Sequence, residues 1–349
     1  MKKRYTPGFI LNLLASLIFL LNGTFVHAQA WGTPINIETP VGTGGNNGQF
    51  SSVITVNGNP AIAYYDVTHL SLMYVRATDA NGTAWGNPVV VDDSGSVGQY
   101  ASLAVVNGNP AIAYYDATNL DLKFIRASDA NGTAWATPIT VDATGTVGEY
   151  ASLFVVNGNP AISYYNNTND DLKYIIATNA NGTSWNTSVS VDVTGQVGQY
   201  TSLNVVNGNP AISYYDVTNS GLKYARSSDA NGTTWNVPLS LDITGTVGQY
   251  TALTVANGNP AIGYYDATNT GLKYIQASDA DGTTWNTALS LDVTGTVGQY
   301  VSITIANGNP AIGYYDGTNS GLKYIRAADA NGATWNTPVS IEITGTVGQ

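Results

Sequence analysis

Tyr100-Ala-Ser-Leu-Ala-Val-Val-Asn-Gly-Asn-Pro-Ala-Ile-Ala-Tyr-Tyr-Asp116 is one copy of a phrase that Tyr150, Tyr200, Tyr250 and Tyr300 each reopen with small changes. Ser102 to Val106 is a short apolar run that reads as a strand. Asn107-Gly108 follows, the dipeptide best suited to a two-residue type I′ hairpin because both central residues tolerate positive φ. Pro110 to Tyr115 reads as the second strand, with proline at its start, where a missing N–H matters little. Further along the same unit, Leu122 to Ala127 and Trp135 to Asp142 supply a third and a fourth β-branched and aromatic run. No stretch carries a 3.6-residue period long enough for a helix.

The unit is 50 residues long and recurs without a gap from about Phe50 to Gln349. Four short antiparallel strands per unit at that period predict an all-β fold, a β-propeller of four-stranded blades. A parallel β-helix is the competing array, but its coils are shorter and lack a tight Asn-Gly hairpin in every unit. Ala111, Ile112 and Ala113 are apolar without alternation, as expected of a strand covered on both faces by neighbouring blades.

The first three strands occur six times. The Trp strand occurs seven times, at Trp31, Trp85, Trp135, Trp185, Trp235, Trp285 and Trp335. Six blades are therefore expected, with Trp31 to Glu38 as an extra N-terminal strand in a single domain spanning 31–349. An incomplete seven-bladed ring is the alternative, and it would leave an exposed edge.

Residues 1–30 read as a secretory signal: Met1-Lys2-Lys3-Arg4, an apolar run from Phe9 to Leu21, and small residues for cleavage near Ala28 or Ala30. The lysine-rich start has a bacterial look, and the mature chain is expected in a periplasm or the medium. Beyond it stand nine basic side chains (twelve less Lys2, Lys3 and Arg4) against 23 acidic ones, a balance of −14. Nucleic acid and anionic lipid are poor partners for such a surface, and no later segment is apolar enough to insert in a membrane as a helix. Cysteine is absent, so stability has to come from packing between repeats.

Between strands three and four each unit carries Asp129-Ala-Asn-Gly132-Thr-Ala-Trp135 or a close variant. This resembles the Asp-box hairpin of sialidase-type propellers, Ser-x-Asp-x-Gly-x-Thr-Trp, in a degenerate form with two residues between Asp129 and Gly132. With the flanking strands, the resemblance covers essentially the whole mature chain. It implies a propeller and a tryptophan tucked between strands, and it raises glycoside cleavage as an activity. Sialidases, however, use converging arginines, a tyrosine nucleophile with a glutamate partner, and an acidic acid/base. Here Arg76, Arg126, Arg226 and Arg326 occupy one equivalent position in four separate units, and the family's Arg-Ile-Pro segment is missing. Catalysis needs unlike groups at one spot, whereas a nearly symmetric ring offers like groups many times. A non-catalytic role is expected, with Glu149 the one glutamate on the candidate ligand face.

That face follows from strand alternation. The Asn-Gly and Asp-box turns share one end of each blade, while the 116–121 loop and the 142–150 connection share the other. The latter face offers Tyr65, Asp66, Tyr115, Asp116, Asn119, Tyr165, Asn166, Tyr215, Asp216, Asn219, Tyr265, Asp266, Asn269, Tyr315, Asp316 and Asn319 as candidate ligand-binding residues. Flat tyrosines with polar tips beside directional Asp and Asn suit glycans or another extracellular surface bound multivalently. A structural or protein-interaction scaffold is the rival role, and the oligomeric state is left open. No cofactor is implied and no transition-metal site, since His27 and His69 are the only histidines. Calcium on loop oxygens such as those of Asp116, Thr118, Asn119 and Asp121 stays an option. Asp116 and Lys123 are expected to meet across the loop mouth as an ion pair worth about 0–1 kcal/mol if exposed.

Overall fold

The computed structural model describes Ile37 and residues 47–342, and the latter form six four-stranded antiparallel sheets. In blade one, β1 (Asn47–Val56), β2 (Asn59–Asp66), β3 (Ser71–Arg76) and β4 (Val89–Asp92) pair in chain order. The same arrangement recurs over 97–142, 147–192, 197–242, 247–292 and 297–342. The protein is a six-bladed β-propeller. The candidate signal and the Trp31 to Glu38 strand lie outside the described residues, apart from Ile37.

The expected strands are present with shifted bounds. The first strand of blade two runs Val97–Val106, several residues longer than its apolar run suggests, because its early half carries a bulge in which Tyr100 stands at φ 53°. The fourth is only Ile139–Asp142, Trp135 making a lone bridge to Ala127. The Asn107-Gly108 turn has φ of 43° and 81°, both positive, as a type I′ hairpin requires.

Stability comes from blade-on-blade packing. Second strands are buried nearly end to end. The face of blade one formed by Val56, Ala61, Ala63, Leu72 and Tyr74 meets Val97, Leu103, Ile112, Tyr114 and Ile125 of blade two in one cluster. The hairpin tryptophans of blades two to six pack edge-on against a ring of the preceding blade, Trp135 on Tyr74 at 5.1 Å and Trp235 on Tyr174 at 5.2 Å. The indole thus joins blades, where the Asp-box resemblance placed it between strands.

Blades one and six differ from the other neighbours: among the described residues no apolar cluster holds residues of both. Met73 stands where the later blades carry lysine, and Ile37 packs on Ile62, Tyr64, Met73 and Val75. Between the described residues of these two blades there is no counterpart of the Asn57 Nδ2 to Asn131 Oδ1 bond that links each other neighbouring pair.

In blades two to six a first-strand glycine lies hard against the preceding blade. A Cβ on Gly148 (φ 104°) would lie 2.8 Å from Leu122 Cα in the preceding blade, whereas one on Gly158 (φ 83°) in the hairpin turn meets nothing within 4 Å. Gly148→Ala is expected to destabilise by about 2–4 kcal/mol through overpacking plus left-handed strain, and Gly158→Ala by only about 1–2 kcal/mol from the strain alone. Urea titrations of the two variants test this; equal losses would contradict the tight interface.

Candidate binding site on the connection face

The first strand of each blade delivers one aromatic residue to the propeller axis. Phe50, Tyr100, Tyr150, Tyr200, Tyr250 and Tyr300 line one open cup of about 190 Å³, with Ser51, Ala101, Ala151, Thr201, Thr251 and Val301 beside them. Successive rings stand 4.6–4.7 Å apart, tilted 46–54° to one another. Each has positive φ, from 51° to 55°. Such a conformation costs a non-glycine residue roughly 1–2 kcal/mol, and here it recurs in every blade at one place. The bulge is what turns these side chains toward the axis.

This collar was not found from the sequence. A non-glycine residue at positive φ carries no local composition signal, and convergence on an axis belongs to the ring. The available clue was that a tyrosine two residues after an invariant glycine reopens nearly every repeat.

The candidate residues named above lie around and beneath the collar. Tyr115, Tyr165, Tyr215, Tyr265 and Tyr315 sit under the collar ring of their own blade at 6.1–6.3 Å, and Tyr65 lies 6.4 Å from Phe50. All six are buried, so they support the cup more than they line it. Tyr65 bonds Ser96 Oγ at 3.0 Å, and Tyr165 accepts from Gln196 Nε2 at 3.0 Å while donating to Asp170.

The aspartates hold the loops. Asp116 is fully buried; its Oδ1 accepts from the Thr118 and Asn119 amides and its Oδ2 from Asn119 Nδ2 at 2.8 Å. Asp216, Asp266 and Asp316 bind Asn219, Asn269 and Asn319 in the same way. Asp66 holds His69, and Asn166 accepts from the Thr168 and Asn169 amides. The exposed parts of Asn119, Asn219, Asn269 and Asn319 remain on the rim.

Lys123 does meet Asp116, at 2.9 Å, yet it also reaches Asp92 of the preceding blade at 3.5 Å. In blades four to six the balance tips to the preceding blade. Lys223, Lys273 and Lys323 lie 2.5 Å from Asp192, Asp242 and Asp292, and only 3.8–3.9 Å from their own loop aspartates. These lysines are buried, so the pair is a link between blades and not an exposed loop clasp.

Electrostatically the cup is neutral to acidic. Burial first, then Glu149, pushes the Tyr100 phenol up to about 12; burial and the neighbouring phenols take Tyr250 and Tyr300 to about 12 as well. The hydroxyls are therefore uncharged donors and acceptors at neutral pH. Glu149 breaks the symmetry, since the other five blades have glutamine at its position, and its Oε1 accepts from Asn167 Nδ2 at 2.9 Å. The four arginines lie at the opposite end of the blades, where Arg126 donates to Val106 O and Asn107 O at 2.8 Å. Among the described residues no group of three or more His, Cys, Asp or Glu is placed to hold a metal ion.

The Asp-box hairpins sit on that opposite end, each folded on its own aspartate and tied to the preceding blade, as where Tyr74 donates to Asn131 O at 3.1 Å. Asp129 accepts from the Asn131, Thr133 and Ala134 amides and from the Thr133 hydroxyl, while Trp135 Nε1 donates to Gly132 O.

No family model matches the chain, and no curated protein sequence does. Among solved structures, the NanB sialidase from Streptococcus pneumoniae in complex with 2-[(3-chlorobenzyl)ammonio]ethanesulfonate is similar at TM-score 0.53 and 10% identity, over 82% of this chain and 69% of that one. NanB with Optactamide gives 0.54 and 11%, over 79% and 66%. The Hadza microbial sialidase Hz136 gives 0.53 and 16%, over 77% and 63%. In the last two the chain spans just under two thirds of the neighbour's length. At these identities the likeness defines the class of fold, the sialidase-like six-bladed propeller.

Proposed function

We propose that this is an exported, non-catalytic propeller that binds neutral glycans through the aromatic collar and its rim. The observation that carries the reading is five tyrosines and Phe50 surrounding one open cup. Such rings offer C–H faces of sugars a flat apolar contact, while uncharged hydroxyls and the rim Asn119, Asn219, Asn269 and Asn319 supply directional bonds. The sialidase neighbours, glycan-active by name, support a glycan as ligand. Without an arginine at this face among the described residues, an anionic sugar has no counter-charge there, which favours neutral saccharides. Nearly identical groups repeated around an axis favour grip over chemistry, because unlike roles need unlike environments.

A glycan array and calorimetric titration of the mature protein test the reading. Neutral oligosaccharides are expected to bind, Tyr200→Ala to weaken them about tenfold, and Glu149→Gln to leave them bound and uncleaved. An array blank at high protein density would reject the glycan and favour the scaffold. One observation points that way: Val193, Ile243 and Val293 are 57–63% exposed at one equivalent position in three consecutive blades.

A further inference from the structure

One position of the repeat faces the cleft between neighbouring blades at the hairpin end. It is Arg76, Arg126, Arg226 and Arg326 in four blades, Gln276 in blade five and Ile176 in blade three. Where arginine is present, its guanidinium fills the cleft. Nε donates to Val56 O, Val106 O, Val206 O or Ala306 O at 2.8–3.1 Å. Nη2 donates to the carbonyl of the turn asparagine, Asn57, Asn107, Asn207 or Asn307, at 2.8–3.2 Å. Arg226 also pairs with Asp281 of the next blade's hairpin at 2.9 Å. Gln276 substitutes in part, its Nε2 donating to Ala256 O at 2.8 Å.

Ile176 can do none of this. Its side chain stays in the apolar cluster with Val156, Tyr174 and Val191, and no described side chain donates to Val156 O or Asn157 O. A cavity of about 450 Å³ adjoins Ile176, lined by Asn159 and residues 174–178, 186, 187 and 189 of blade three and by the 231–233 hairpin of blade four. Its polar lining includes acceptors. Asn159 and Asn186 each commit Nδ2 to a backbone carbonyl, Ala177 O at 3.2 Å and Ile176 O at 2.9 Å, which leaves their Oδ1 atoms without a described donor. Ile176 and Val189 supply an apolar wall beside them, suited to an alkyl stem.

We propose that this cleft binds a guanidinium group carried by another molecule, the arginine side chain of a peptide or partner protein. A donor-only, planar fork matches carbonyl acceptors that the sister blades satisfy with their own guanidinium. The inference is independent of the glycan reading, since the cleft lies at the opposite end of the blades from the collar.

The test is a titration of the ¹⁵N-labelled mature protein with methylguanidinium and with arginine amide, followed by amide chemical shifts. Saturable shifts are expected at Ile176, Asn231 and Gly232, weakened about tenfold or more by Ile176→Arg, which restores the arginine of the four sister blades. Arg126→Ile should open an equivalent site, read at Asn181 and Gly182. If Ile176→Arg does not fold, Ile176→Gln, the choice of blade five, replaces it. Shifts that fail to saturate, that survive in the filled variant, or that urea reproduces at equal concentration would overturn the assignment.

Discussion

Asp192→Ala is expected to be among the most damaging single substitutions in the chain, at about 3–5 kcal/mol. Asp192 is 5% exposed and lies on the outer strand of blade three. Its Oδ2 accepts from Tyr214 at 2.7 Å and from Lys223 at 2.5 Å, both in blade four, and its Oδ1 accepts from the Thr194 amide at 3.0 Å. Burial alone would raise its pKa; the Lys223 ammonium, the Tyr214 hydroxyl and the Thr194 amide outweigh it and hold the carboxyl below the usual range. Truncation strands a buried ammonium, with Asp216 as a second carboxylate only at 3.8 Å, and takes the acceptor from a buried phenol.

The cost therefore comes from orphaning partners more than from the net worth of the pair. Asp192→Leu combined with Lys223→Met should recover much of the loss, because it removes both charges and blade one already carries Met73 at the lysine position. Urea unfolding of the single and double variants measures both values. A loss below about 1 kcal/mol for Asp192→Ala would show the network to be a surface ornament of the kind typical of exposed pairs.

This network separates what the sequence could show from what it could not. The repeat, the Asn-Gly hairpins and the Asp turns are local. Each is set by residues within a few positions of one another, as in the bonds Asp129 accepts from Asn131 and Thr133. The blade count and the two faces followed from them. The Lys223–Asp192 link spans 31 residues and a blade boundary, so pairing Lys123 with nearby Asp116 found one of its two partners and missed the one in the preceding blade. Burial misled in the same way. Asp116 and Tyr115 sit in a loop-adjacent phrase of the kind that usually meets solvent, yet both are buried. The collar was the least legible feature, because Tyr100 and Tyr300 become neighbours of one cup only when the blades stand around an axis.

The same buried phenols and carboxylates predict a stability plateau with two limbs. On the acid side, Asp242 is the clearest case. Burial pushes its pKa up, but Lys273, Thr244 and Tyr264 together bring it down to about 2, against an ordinary 3.8. A depressed carboxyl stabilises the fold above its unfolded pKa, and the contribution is lost as pH falls from about 3.8 toward about 2. Asp92, Asp142, Asp192 and Asp292 are lowered at the equivalent blade junctions, so the losses coincide. On the alkaline side the sign reverses in pH but not in consequence. Tyr100, Tyr250 and Tyr300 are raised from 10.0 to about 12, chiefly by burial. Tyr114, Tyr164, Tyr214, Tyr264 and Tyr314 go higher still, through burial and the aspartate each faces. Their stabilisation is complete below pH 10.0 and falls above it, as the unfolded chain releases protons the native ring retains. Each such phenol adds a slope of up to about 1.4 kcal/mol per pH unit, and eight acting together should make the alkaline transition steep. Melting temperature followed by circular dichroism should stay level between these limits and drop beyond both. A melting temperature that stays level well above pH 10.0 would contradict the buried collar and the Tyr–Asp links between blades alike.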